Sequence, residues 1–124
     1  MTFRNNLYFI DSVTRGEEGV CYRLHLNAGH IIYQAHFPGE PITPGVCLLQ
    51  MGMELLADAV VADLEIETVK NVKFLSVLHP EGQTVDVRVH RLSQNEDTSQ
   101  AQIDFTVGEH AVAKMSLICR KTAK

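Results

Sequence analysis

These 124 residues contain no uncharged apolar run of roughly 18 residues, the length a membrane-spanning helix needs. The opening stretch MTFRNNLYFIDS also lacks the basic-then-apolar-then-small pattern of a secretory leader, so a cytoplasmic protein with no membrane partner is expected. Positive charge is scarce: 11 Lys and Arg stand against 15 Asp and Glu, for a net charge of −4. A nucleic-acid partner normally requires a basic face, so none is expected. The three cysteines, Cys21, Cys47 and Cys119, form neither a C-x-x-C pair nor a Cys/His cluster at zinc-site spacing. Each lies in an apolar stretch and reads as a buried free thiol in reducing surroundings, with no metal implied.

What is present is an ordinary globular composition, 45% hydrophobic and 21% charged, in a length that suits one domain over residues 1–124. A hairpin comes first, with strands over Leu7–Thr14 and Val20–Asn27 around a turn at Gly16 to Gly19. In its second strand Val20, Tyr22, Leu24 and Leu26 alternate with polar neighbours, the period of a half-buried strand. Pro44 to Leu64 is long, lacks internal proline and is rich in Leu, Met and Ala, which predicts a helix. Either Pro44-Gly45 or an N-cap at Thr43 would start it. Apolar residues occupy almost its whole circumference as far as Asp58, so burial on all sides is expected. Four strands follow: one over Glu67–Leu75, one carrying Val85, Val87 and Val89, one carrying Ala101, Ile103, Phe105 and Val107, and one over Ala111–Arg120. Two strands, one apolar helix and four strands predict an α+β fold in which a curved antiparallel sheet wraps a central helix.

The chemistry concentrates between Ala35 and Glu54. Pro38, Gly39, Pro41, Pro44 and Gly45 stiffen a loop that leads into the helix and would hold His36 in place. His36-Phe37-Pro38-Gly39, Pro41-Ile42 and Pro44-Gly45-Val46 together resemble the signature of the β-hydroxyacyl-carrier-protein dehydratases of fatty-acid synthesis. Val69 to Phe74 also resembles the strand that follows the helix in that family. The resemblance extends over nearly the whole chain and implies the hotdog fold.

It further implies a reaction: His36 removes the α-proton of a β-hydroxyacyl thioester, and backbone N–H groups near Gly45 and Val46 polarise the carbonyl. A helix N-terminus supplies such donors and a partial positive charge. A helix carboxylic acid then protonates the departing hydroxyl, giving the trans-2-enoyl thioester without a cofactor, in fatty-acid synthesis or a related polyene or polyketide route, the second favoured by the exchange of Gln50 and Glu54. The family's acid position falls on Gln50, an amide with no proton to transfer. Glu54, one turn later on the same face, is the candidate replacement, with Gln50 orienting the hydroxyl. Phe37, Pro44, Gly45, Val46, Leu49 and Met53 would bind the substrate. His25, His30, His79, His90 and His110 read as structural or surface residues.

The resemblance also implies a homodimer or trimer of dimers, and an acyl carrier protein bearing a phosphopantetheine-linked substrate. Lys70, Lys73, Arg120, Lys121 and Lys124 are candidates for docking that carrier. Two alternatives remain open: a hotdog acyl thioesterase using Glu54 to activate water, and a non-catalytic acyl-binding or assembly subunit in which Gln50 marks lost chemistry.

Overall fold

The computed structural model describes residues 2–35 and 39–122. His36, Phe37 and Lys124, named above for their chemistry, lie outside the described residues. The elements in order are β1 (Tyr8–Gly16), β2 (Gly19–Leu26), α1 (Ile32–Ala35), α2 (Gly45–Val60), β3 (Leu64–Phe74), β4 (Thr84–Gln94), β5 (Thr98–Val107) and β6 (His110–Lys121). The six strands form one antiparallel sheet in the order β1-β2-β4-β5-β6-β3, and α2 packs on it. This is the expected α+β hotdog fold.

Period-two alternation decides which face each strand buries. Val20, Tyr22, Leu24 and Leu26 point inward from β2, Val85, Val87 and Val89 from β4, and Ala101, Ile103 and Phe105 from β5. They meet Cys47, Leu48, Met51, Leu55 and Leu56 of α2. At Gly52 a Cβ would fall 2.9 Å from Met115 Sδ, so glycine lets helix and sheet approach closely there. Truncating the fully buried Leu55 or Leu56 to alanine would cost about 2–5 kcal/mol, because sheet and helix close around both.

Three expectations change. The helix is buried on one face only: Leu49, Gln50, Met53, Glu54 and Ala57 are half-buried and Val46 is exposed, because the single sheet covers one side of α2. The helix also stops early, at Val61, whose left-handed φ of 54° lets Val61 N and Ala62 N donate to Asp58 O and Ala57 O. A β-branched residue seldom takes that conformation, and Leu64 consequently opens β3 rather than ending α2. Finally, Cys21 is exposed: the alternation that buries Val20 and Tyr22 turns it to the outer face with Arg23 and His25. Cys47 and Cys119 are buried free thiols, and burial pushes the Cys119 thiol up to about 11.

Candidate active site

The loop entering α2 is held by more than its prolines. Thr43 N donates to Leu78 O at 2.8 Å, and the Thr43 and Tyr33 hydroxyls share a buried hydrogen bond at 2.8 Å. His79 Nδ1 lies 3.0 Å from Pro41 O, which can only accept, so the ring donates there. Tyr33 belongs to the short helix α1, and Leu78 and His79 to the segment before β4, so two distant pieces of chain pin residues 41–43. With its hydroxyl committed to Tyr33, Thr43 does not cap α2. The N-cap is Pro44, without a side-chain cap bond.

The first turn of α2 closes through Cys47 N and Leu48 N, both donating to Pro44 O. The Gly45 and Val46 amides precede that turn and have no acceptor within the helix. The Phe74 ring lies over Gly45: a Cβ there would come within 2.7 Å of Phe74 Cζ. The glycine therefore admits an aromatic ring from the end of β3, which the sequence pattern did not indicate. Phe74, Leu75, Val77 and Val46 are all at least half exposed, leaving an apolar surface beside the helix start.

Further along α2, Gln50 and Glu54 are joined, with Gln50 Nε2 donating to Glu54 Oε2 at 2.8 Å. The glutamate does lean back toward the N-terminus, as its position implies. Its oxygens meet protein donors there. Phe3 N donates to Oε2 at 2.8 Å, Arg4 N to Oε1 at 2.9 Å, and the Tyr8 hydroxyl to Oε1 at 2.9 Å. Each oxygen thus accepts two hydrogen bonds, and at least three of the four donors have no acceptor alternative, an arrangement that fits a carboxylate. Burial, then the charge and hydrogen bond of Glu54, raises the Tyr8 hydroxyl well above the ordinary tyrosine range.

The other acid of α2 is committed in the same way. Asp58 accepts from Tyr22 OH at 2.7 Å and from Arg4 Nη1 at 2.8 Å. Burial opposes its ionisation, but these hydrogen bonds and the charges of Arg4 and Arg15 outweigh that and hold it below the usual carboxylate range. Glu54 and Asp58 together clamp the N-terminal segment across the helix. Sequence reasoning missed the clamp because its partners lie some fifty residues away, beyond the reach of any periodicity. Beside it, a cavity of about 570 Å³ is lined by Arg4, Gln50, Met53, Glu54 and Ala57, among others. Among the described residues, no three His, Cys, Asp or Glu side chains are grouped to hold a metal ion, and no helix is long and apolar enough to cross a membrane.

Residues 12–116 match the model of the ApeI-like family, described as the ApeI dehydratase. The curated relative 3-hydroxyacyl-(acyl-carrier-protein) dehydratase FabZ of Levilactobacillus brevis is 22% identical over 115 residues, spanning 87% of this chain and 76% of that protein. Among solved structures, the dehydratase heterocomplex ApeI:P of Xenorhabdus doucetiae superposes with a TM-score of 0.75 at 15% identity, over 91% of this chain and 97% of the other. A hypothetical thioesterase with coenzyme A from Streptococcus pneumoniae superposes at 0.67 with 13% identity, over 94% of this chain and 87% of the other. At these identities the superpositions speak for the fold alone.

The matches make this a hotdog-fold protein related to acyl-thioester-processing enzymes, and they correct three expectations. The family model that matches is the ApeI-like one, not that of the fatty-acid-synthesis dehydratases: it spans residues 12–116, most of the chain, whereas the loop motif covers about nine positions. The placement in fatty-acid biosynthesis falls with it. The expected homodimer serving an acyl carrier protein is also set aside, since the structurally similar ApeI:P is a heterocomplex.

Proposed function

This chain belongs to the ApeI-like family, and on that premise we propose that it is an acyl-thioester-binding subunit of a heteromeric hotdog assembly that does not dehydrate its ligand alone. The observation that carries the proposal is the four-donor environment of Glu54. A general acid must give up a proton to the departing hydroxyl, and a carboxylate saturated by protein donors has neither the proton nor a free direction. Gln50, at the position where the resembling dehydratases carry their acid, has an amide that transfers no proton. Asp58 is engaged by Tyr22 and Arg4. No other Asp or Glu lies on α2.

What α2 keeps is the means to hold a thioester. The Gly45 and Val46 amides would receive the carbonyl, and Leu49 and Met53 offer apolar surface for the acyl chain. On this reading the proton donor comes from a different chain, and the half-exposed face of α2 with Phe74, Leu75 and Val77 is where that chain would rest. The heteromeric state of ApeI:P lends support.

The test uses the purified chain with a β-hydroxyacyl pantetheine thioester, following binding by calorimetry and product by enoyl absorbance. Saturable binding without enoyl product is the expected result. Product formed by the chain alone, or no binding at all, overturns the proposal.

A further inference from the structure

Of the 11 lysines and arginines, Lys124 lies outside the described residues. Arg4, Arg15, Arg23, Arg88 and Arg120 each face a carboxylate, and Lys121 donates to Asn95 O at 2.8 Å. The others, Lys70, Lys73, Arg91 and Lys114, form no ion pair or hydrogen bond among the described residues. They are not scattered. Lys70 and Arg91 line one hollow of about 150 Å³, and Lys73 and Lys114 line a second of about 150 Å³. The two hollows share Gln102 and Ser116.

The strand registers put these groups on one face, the one turned away from α2. On β6, Met115 and Leu117 are buried, so Lys114 and Ser116 point outward. On β5, Ala101 and Ile103 are buried, so Gln100 and Gln102 point the same way. Lys73 stands opposite Lys114, and Asn71 opposite Ser116. Lys70 falls in the register shift between Val69 and Asn71, and Arg91 in the one between His90 and Ser93. Both are exposed, and both line the first hollow with Gln100 and Ser116.

The acids of this face do not cancel the cations. Asp104 stands opposite Lys114, but its oxygens are taken by His90 Nε2 at 2.9 Å and Gln102 Nε2 at 3.3 Å. Glu67 shares β3 with Lys70 and lines neither hollow. Arg88 faces Glu18 and Arg120 faces Glu65, so those pairs are neutral. With Asp104 and Glu67 both set against Lys70, Lys73, Arg91 and Lys114, positive charge remains in excess, in a chain of net charge −4. Like charges directly opposite on neighbouring strands are destabilising, so Lys73 and Lys114 repel until an anion lies over them.

We infer that this outer face docks an extended acidic segment of a partner protein, its carboxylates meeting Lys70, Lys73, Arg91 and Lys114. Dimensions decide against a single small anion. At the backbone, Arg91 on β4 and Lys70 on β3 are separated by three strand spacings, about 14 Å, and Lys70 and Lys73 by about 10 Å along β3. One phosphate does not span that patch, whereas about four or five extended residues do. The groups between the cations are the amides of Asn71 and Gln100 and the hydroxyl of Ser116, which suit carboxylates and peptide groups. An anionic bilayer would instead call for apolar or aromatic side chains to insert. The inference does not rest on the acyl-thioester reading, and this face lies across the sheet from α2.

The experiment is a backbone-amide NMR titration of the isotope-labelled full chain with hexaglutamate, and with hexaglutamine as the neutral control. Phosphatidylserine vesicles and a thymidine hexanucleotide, followed by co-sedimentation and by the same titration, represent the other polyanions. Saturable shifts centred on Lys73, Lys114 and Ser116 with hexaglutamate, absent with hexaglutamine and weakening as salt rises, are expected. Absent saturation at millimolar peptide, shifts centred elsewhere, an equal response to hexaglutamine, or tighter binding of the vesicles or the oligonucleotide overturns the inference. The double variant Lys73→Gln with Lys114→Gln supplies a second readout. Losing a like-charged pair, it should melt no lower than the native chain yet bind hexaglutamate about tenfold more weakly. Undiminished binding by that variant also overturns the inference.

Discussion

The Tyr8 hydroxyl donates to Glu54 Oε1 at 2.9 Å, joining the first residue of β1 to the middle of the central helix. Phe3 N and Arg4 N complete the attachment, so one glutamate holds a stretch of chain that has no sheet partner of its own at those amides. Its four donors make Glu54 a structural anchor on our reading. They also explain why a carboxylate is tolerated, half-buried, in so apolar a helix.

Glu54→Gln should therefore reveal itself first in stability. The new amide nitrogen would face donors in place of an acceptor, and hydrogen bonds to a charged group contribute about 1.5–3 kcal/mol each. A loss of about 2–4 kcal/mol in urea unfolding is expected. Tyr8→Phe removes one donor and should cost about 1 kcal/mol. The double variant should cost less than the sum of the two, because the residues share a contact.

The clamp also sets a pH dependence at both ends. Asp58 is held below its ordinary value in the folded chain, so its contribution is present above pH about 4 and is lost as pH falls through the folded-state pKa. Tyr8 and Tyr22 are raised, chiefly by burial and then by their carboxylate partners. Their contribution is present below pH about 10 and is lost as pH rises beyond it, because the unfolded phenols ionise first. Urea midpoints measured across pH should fall on both limbs. Asp58→Asn should flatten the acid limb, and Tyr8→Phe the alkaline one.

Gly45 and Phe74 form a testable pair. Gly45→Ala places a Cβ within 2.7 Å of the ring, which is half exposed and can swing aside, so a cost of no more than about 1 kcal/mol is expected. Phe74→Ala clears the space, so the double variant should be less destabilised than the two single changes together predict. Thermal unfolding of the four chains closes the cycle.

Much of the fold was legible because hydrophobic periodicity is local. The alternation of Val85, Val87 and Val89, and of Ala101, Ile103 and Phe105, assigned both strands and their buried faces. The stop at Val61 was not legible, since a β-branched residue carries no left-handed signal. Nor was the one-sided burial of α2: an apolar circumference shows what a helix can bury, not how many layers cover it. The loop was legible as a rigid entry to the helix, but its supports, His79 on Pro41 and Tyr33 on Thr43, come from residues with no marking in sequence. Glu54 was found for its carboxyl, while the destination of that carboxyl depends on residues about fifty positions earlier.

A helix that binds a thioester but contributes no acid should show itself in a single-turnover experiment. The chain, in excess over a β-hydroxyacyl pantetheine thioester that it binds, is followed at the enoyl absorbance. No enoyl formation above the rate in buffer is expected, with no difference between the native chain and a folded Glu54→Gln variant. Enoyl formation by the native chain that disappears in folded Glu54→Gln would contradict this expectation.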